Sequence, residues 1–479
     1  MIQLYTTLLV NLILSSTENL ISELVPDKKP NFIVVFVDDM GYGDLGSYGH
    51  PTIKTPNLDK MSEEGQKWTQ FYSASSVCTP SRAGLLTGRL PIRSGMIGSD
   101  TNSYRVLFPE SEYGLPESEI TIAEKLKETG YSTAAIGKWH LGHKKKYLPL
   151  NNGFDYYYGI PYSNDMDAIK NGVGCCVGQN YWAQYELEEL NSNNYNVPLI
   201  ENNDVIERPA DQTTITKRYS EKAVEFIREN KSNKFFVYLA HSLPHIPLYA
   251  SKEFLGNSKA GLYGDVIEEI DHGVGMILKE LEKLNIDKKT LILFTSDNGP
   301  WLPFETHGGT AGLLREGKGT TWEGGQRVPG IFWGAGIKSQ LISDIGSTLD
   351  VLPTFIDIAN TEKINDRVID GYSLKNTLFE GDSSPRDEMI YYRNREIYAV
   401  RKGDYKAHYI IQGAYNYPEK TEKIILDEPL LYNLNNDPSE KFDIAKDNPQ
   451  ILKNIEEIII NHKKDIIFKE DLLKYRSVE

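Results

Sequence analysis

Residues 31–39 read Asn31-Phe32-Ile33-Val34-Val35-Phe36-Val37-Asp38-Asp39. An unbroken β-branched and aromatic run suits a strand buried on both faces of a sheet. Two adjacent carboxylates end it, followed by Gly41 and Gly43. The same grammar recurs. Residues 132–136 lead into Gly137-Lys138-Trp139-His140, residues 235–240 into His241-Ser242-Leu243-Pro244-His245, and residues 291–295 into Ser296-Asp297-Asn298-Gly299. Helical patterns lie between them, at 122–129, at 223–227, and along Val266, Ile267, Ile270, Val274, Ile277, Leu278, Leu281 and Leu284 with three-and-four spacing. Strands alternating with helices predict an α/β fold, with helices on both faces of the sheet. Ligands of such sheets bind beyond the carboxyl ends of the strands, which is where the Asp, Lys/His, His and Asp/Asn residues fall.

The texture changes after about residue 375. Short strands with Gly- or Asn-containing turns fit 389–393, 397–402 and 406–411, and an amphipathic helix fits 451–462. The expected organisation is a catalytic domain over 28–375 and a smaller C-terminal α+β domain with an antiparallel sheet over 376–479. Residues 1–22 read as a secretory signal or an N-terminal extension, because the apolar run Leu8-Leu9-Val10-Asn11-Leu12-Ile13-Leu14 precedes Ser15-Ser16-Thr17. The location this implies is exported, periplasmic or secreted. No later segment reaches the roughly 20 apolar residues of a membrane span.

Of the 479 residues 40% are hydrophobic and 25% charged, which excludes a disordered, fibrous or membrane-embedded chain. A net charge of −15 offers no basic field for nucleic acid, so an anionic substrate must be held by a few local cations. Three cysteines, Cys78, Cys175 and Cys176, are too few for a disulfide scaffold and lack ligand-spaced partners for zinc.

The most specific stretch is Cys78-Thr79-Pro80-Ser81-Arg82-Ala83-Gly84-Leu85-Leu86-Thr87-Gly88-Arg89. Pro80 suits the first turn of a helix, placing residue 78 beside a positive helix N-terminus with Arg82 one turn in. Asp38, Asp39, Asp297 and Asn298 supply hard oxygen donors, suited to Ca2+ or Mg2+ rather than zinc. An Asp-Asp turn or an Asp-Asn-Gly turn explains either pair alone, but not both in this context.

The Cys78–Arg89 stretch resembles the signature of the type I sulfatases, within the alkaline-phosphatase superfamily. The resemblance extends along the chain. It takes in residues 38–44, Gly137-Lys138-Trp139-His140-Leu141-Gly142-His143, Leu243-Pro244-His245-Ile246-Pro247, 296–299 and Gly317-Lys318-Gly319-Thr320-Thr321-Trp322-Glu323-Gly324-Gly325. Residues 398–408 and 431–434 resemble the arylsulfatase A and N-acetylgalactosamine-6-sulfatase branch. The resemblance implies an alkaline-phosphatase-like fold with a large mixed, mostly parallel sheet. It also implies a sulfuric ester hydrolase in which a dedicated maturation enzyme oxidises Cys78 to Cα-formylglycine.

On that resemblance one divalent cation per chain, Ca2+ with Mg2+ as the alternative, is held by Asp38, Asp39, Asp297, Asn298 and residue 78. Lys138 and Lys318 neutralise the sulfate, and Arg82 holds the formylglycine hydrate. A hydrate hydroxyl attacks sulfur with help from Asp297, His245 protonates the leaving alcohol and contacts substrate, and His140 takes the proton of the second hydroxyl, so that the hemiacetal expels sulfate. The preferred substrate class is a sulfated carbohydrate. The alternatives are a phosphonate or phosphodiester hydrolase of the same superfamily, and a catalytically silent sulfated-glycan binding protein. The basic run His143-Lys144-Lys145-Lys146 fits either an anion-attracting mouth or a solvated loop. Most of Tyr156-Tyr157-Tyr158, Tyr181-Trp182 and Trp301 are expected in core packing rather than on sugar.

The hydrate chemistry yields a first prediction. A Cys78→Ser variant accepts sulfate once and stops, because a serine sulfate ester has no second hydroxyl from which to eliminate. Single-turnover mass spectrometry should show a trapped adduct of one sulfate, and sustained turnover would refute the scheme.

Overall fold

The computed structural model describes residues 29–99, 105–168, 191–415 and 422–477. The N-terminal segment 1–22, Cys175, Cys176 and Tyr181-Trp182 lie outside them. In chain order the strands of the larger sheet are β1 (Asn31–Val37), β2 (Gln66–Tyr72), β3 (Ser132–Gly137), β4 (Tyr156–Gly159), β5 (Leu199–Glu201), β6 (Asp204–Glu207), β7 (Phe235–Ala240), β8 (Thr290–Ser296), β9 (Arg327–Gly334) and β10 (Gln340–Ser347). They assemble in the order β10-β2-β9-β8-β1-β7-β3-β4-β5-β6. The central strands β8, β1, β7, β3 and β4 run parallel, and β9 is antiparallel to both of its neighbours.

Why β1 is apolar throughout is visible in its packing. Ile33, Val35 and Val37 enter one core with residues of helices α1 (Pro56–Glu64), α4 (Ile215–Glu229) and α5 (Gly261–Lys283). Phe32, Val34 and Phe36 enter the opposite core with α2 (Cys78–Thr87), α3 (Ile122–Lys127) and α6 (Val351–Ile358). Alternate side chains thus serve opposite layers, as the two-residue period of a strand requires. The helix at 122 begins with a reciprocal cap, in which the Thr121 hydroxyl accepts from the Glu124 N–H and the Glu124 carboxylate accepts from the Thr121 N–H.

A second sheet orders β11 (Glu388–Arg393), β12 (Glu396–Lys402), β13 (Tyr405–Ile411) and β14 (Ile424–Asn433), all antiparallel. Helix α7 (Pro449–Asp465) packs Ile455 against Val400, Ala407 and Leu431 of this sheet. Among the described residues no helix is long and apolar enough to cross a membrane.

The two sheets are joined through buried charge. Glu323, in the short turn Glu323–Gln326, accepts from Lys406 Nζ at 2.9 Å and from the Tyr72 hydroxyl at 2.6 Å. Its own N–H donates to Glu440 Oε2 at 2.6 Å, and Glu440 Oε1 also faces Lys406 and His408. Arg401 reaches Tyr72 and Gln70 from β12. Removing one member leaves its partners charged and dry, which typically costs about 3–5 kcal/mol.

Glu323→Ala should therefore lower stability by about 3–5 kcal/mol, read as the urea midpoint. Burial alone would raise the Glu323 carboxyl, but the charges of Lys406, Arg327 and Arg401 outweigh it and hold it at about 2 against an ordinary 4.5. The depressed value means its stabilisation is complete above pH 4.5 and is lost as pH falls toward 2. The variant should lack that part of the acid dependence.

Candidate active site

Strands β8, β1, β7 and β3 are neighbours and parallel, so their carboxyl ends open on one edge of the sheet. Asp38 and Asp39 follow β1, Lys138 and His140 follow β3, His245 follows β7, and Asp297 and Asn298 follow β8. Cys78 is the first residue of α2, with Val77 as N-cap and Pro80 in the first turn. Arg82 lies one turn further, and Lys318 comes from the loop before β9. Gly137 makes the exit from β3: its φ is +111°, and a Cβ there would sit 1.8 Å from the Ala240 carbonyl oxygen. All the sequence-derived site residues thus meet at one place.

Ligand atoms of Asp38, Asp39, Cys78 and Asp297 all lie within 4.8 Å of one another, in a fully buried cluster. Cations surround it. Arg82 donates through Nε and Nη2 to Asp297 Oδ2 at 3.1 and 2.8 Å, and Nη2 lies 3.4 Å from Asp38. Arg82 thus engages the carboxylates beneath residue 78, where the resemblance expects it to hold the hydrate. Lys138 pairs with Asp38 Oδ2 and donates to Ser163 Oγ at 3.1 Å. Lys318 donates to Asp39 Oδ2 at 2.7 Å and lies over the Trp301 ring at 4.1 Å.

Charge decides the protonation states. Burial would raise Asp38, but Lys138, Arg82, His245 and Lys318 outweigh it and hold the carboxyl well below its ordinary range. Burial and the Asp38 charge push Asp297 up to about 7. Burial and Asp38 also push the Cys78 thiol well up, so the encoded cysteine is a poor thiolate nucleophile. The residues fit a hard divalent cation: carboxylates crowd together, and buried Asn298 Oδ1 has no hydrogen-bond partner among the described residues while Asn298 Nδ2 donates to Asp39 Oδ1 at 2.7 Å.

The two histidines differ. His140 Nε2 meets the Leu107 carbonyl at 2.8 Å, which places the proton on Nε2 and leaves buried Nδ1 unprotonated, with no hydrogen-bond partner among the described residues. Burial and the Lys138 charge keep this ring neutral. His245 Nδ1 faces the Ile246 carbonyl at 2.6 Å, and Nε2 lies 3.5 Å from Asp39 Oδ2. Burial and the Lys318 charge lower His245 to about 4. Cys78, His140, His245 and Lys318 line a common cavity of about 160 Å³.

Residues 30–361 match the family model described as sulfatase, and residues 384–478 match the C-terminal region of aryl-sulfatase. The chain belongs to the sulfatase family. This sulfatase is 36% identical to N-acetylgalactosamine-6-sulfatase of Rattus norvegicus over 91% of its own length and 86% of the relative's. It is also 36% identical to arylsulfatase A of Homo sapiens, over 90% and 87%. Among solved structures it resembles the PsFucS1 sulfatase from Pseudoalteromonas sp., with a TM-score of 0.78, 28% identity and 94% coverage of each chain. The sulfatase is accordingly a sulfuric ester hydrolase.

Sequence reasoning did not single out some residues of the sulfatase site. Ser163 supports Lys138, and nothing in its surroundings announces it. Thr79 accepts from the Leu107 N–H at 3.1 Å and donates to the His140 carbonyl at 3.0 Å, fixing the loop that orients His140. Of the aromatic runs, Tyr157 and Tyr158 are in the core and Trp301 lines the cavity. In the basic run Lys144 pairs with Glu112.

The crowded carboxylates set up a stability test. Chelator-treated sulfatase should gain about 2.7 kcal/mol when a divalent cation is present at 100 times its Kd. Asp39→Ala and Asn298→Ala should lose that gain in thermal melts.

Proposed function

We propose that this sulfatase desulfates a carbohydrate, with residue 78 acting in its formylglycine form beside one Ca2+. The observation that carries the reading is the cavity itself. It sets an unprotonated His140 nitrogen, His245 and Lys318 around Cys78, directly above the carboxylate cluster. Asp38, Asp39, Asp297 and Asn298 would hold the cation, and Ca2+ suits an oxygen-only cage of loose geometry. When bound, the cation supplies Lewis-acid polarisation of the sulfate and lowers the pKa of the hydrate.

The remaining roles belong to the chain's own side chains. Lys318 and Lys138 offset the sulfate charge from the two sides of the cluster. Arg82 fixes Asp297 and Asp38 so that neither swings toward the substrate. His245 delivers a proton to the departing sugar oxygen, and the incoming anion beside Lys318 raises its affinity for that proton. His140 Nδ1 accepts a proton at residue 78. The rat relative carries a sulfated amino sugar in its name, which supports a carbohydrate substrate. A maturation enzyme acting on Cys78 and an exported location complete the reading.

Two measurements test it. The mass of the peptide containing residue 78, from protein made in its native host, should show aldehyde or hydrate in place of thiol. General acids contribute about 10²–10⁴-fold where the leaving group needs a proton. His245→Ala should therefore lose far more on a sugar sulfate than on p-nitrophenyl sulfate, whose phenolate departs unaided. Equal losses on the two substrates would remove His245 from the acid role.

A further inference from the structure

Asp44 is a buried carboxylate that the desulfation scheme does not use. It follows the Asp38-Asp39 pair across Met40-Gly41-Tyr42-Gly43, and its oxygens collect donors from three segments of the chain. Oδ2 accepts from the Gly41 N–H at 2.7 Å and from the Tyr263 hydroxyl of α5 at 2.6 Å. Oδ1 accepts from the Thr310 N–H at 2.8 Å. Thr310 returns the contact, its carbonyl accepting from the Gly43 N–H at 3.0 Å.

The origin of these segments gives the carboxylate its interest. Thr310 lies in the connection that leaves β8 with Asp297 and Asn298 and reaches β9 past Lys318. Asp44 therefore ties the turn after Asp39 to the stretch that carries Asn298 at one end and Lys318 at the other. Packing there is close. A Cβ on Gly41 would sit 2.1 Å from the Thr310 carbonyl oxygen, and one on Gly309 would sit 2.4 Å from the Tyr263 hydroxyl and 2.7 Å from Asp44 Oδ2. Residues 40–44 lie in no helix or strand. Their backbone is held by the contacts above, by the Met40 N–H on Ser296 Oγ at 3.0 Å, and by the Asp44 N–H on the Gly41 carbonyl at 3.3 Å.

Asp39 leaves β1 in left-handed backbone, at a φ of 62°, so the aim of its carboxylate depends on where the chain beyond it is anchored. Groups that orient metal ligands without touching the metal are typically worth about 10–100-fold in affinity. We propose that Asp44 is a positioning residue for the cation, fixing the turn after Asp39 against the Thr310 connection so that Asp38, Asp39, Asp297 and Asn298 keep one ligand geometry. This rests on the cation-bound reading above and deepens it, by naming what holds the two ligand-bearing segments in register. A purely structural carboxylate is available for comparison on the same helix. Asp271 of α5 is also buried, and accepts from the Asn57 N–H at 3.1 Å and the Leu58 N–H at 2.8 Å, at the start of α1.

The test titrates Ca2+ into chelator-treated, full-length protein by isothermal calorimetry, with thermal melts of the chelated protein in parallel. Asp44→Asn keeps the shape but sets an NH2 group against one of the donors, and should raise the Kd for Ca2+ about 10-fold or more. Tyr263→Phe, which removes one donor, should raise it by a smaller factor. Asp271→Asn should lower the melting temperature of the chelated protein while binding Ca2+ with the wild-type Kd. A wild-type Kd in Asp44→Asn overturns the proposal, as does an Asp271→Asn variant that weakens Ca2+ equally. Should Asp44→Asn fail to fold, Tyr263→Phe decides, and an unchanged Kd in it overturns the proposal. A wild type that binds no Ca2+ overturns the cation reading, and this assignment with it.

Discussion

Three carboxylates share a dry pocket, and the structure is arranged around keeping them there. Asp38, Asp39 and Asp297 are buried within reach of one another, and Arg82 from α2 and Lys138 and Lys318 from the surrounding loops press on them. Removing carboxylates from water is tolerable only with compensating charge and hydrogen bonds. The compensation is incomplete, since Asp297 is still pushed up to about 7. Burial and the neighbouring Asp38 charge together leave the cluster with the character of a site that could hold a cation.

The position of each participant follows from the same constraint. Carboxylates on flexible loops would drift apart, so they stand at the ends of β1 and β8, adjacent strands in the most buried part of the sheet. Asp39 and His140 both have left-handed backbone, at φ of 62° and 56°. Such conformations persist where the surroundings over-determine them. Here they turn each chain sharply off its strand and toward the cluster. Glu323 and its partners extend this rigidity outward. The Lys318 loop donates from Gly319 N to the Ser76 carbonyl, while Gly325 O accepts from Gly299 N. The loop is thereby fastened both to the segment before Cys78 and to the turn after Asn298.

The parts legible in the sequence were those whose physics is local and repetitive. The buried strands β1, β7 and β8 are apolar on both faces and announce themselves, and the helices packed on them show their apolar stripe. What escaped was peripheral. β2 reads Gln66-Lys67-Trp68-Thr69-Gln70-Phe71-Tyr72, with polar residues interleaved, and β9 contains Pro329 and Gly330, which read as breakers. β10 and β14 are edge strands with solvent-facing Leu341 and Ile425, so burial imposes no pattern on them. Within the site, residue types and their place at strand ends drew attention to the acidic residues, Cys78 and the histidines, which the structure sets together, while the roles expected of them came from the family resemblance. Supporting contacts such as Lys138 with Ser163 and Thr79 with Leu107 join separate segments of the chain, and no local pattern encodes them.

The strand order carries a kinetic consequence. β1 pairs on one side with Phe235–Ala240 and on the other with Thr290–Ser296, each about half the chain away. Such parallel, non-local pairings form slowly, because chain entropy is surrendered before the contacts repay it. The acidic residues sit at the closing ends of these pairings, so their mutual repulsion acts at the moment the central strands zip together. The site residues are consequently brought together only in chains in which β8, β1, β7 and β3 have paired.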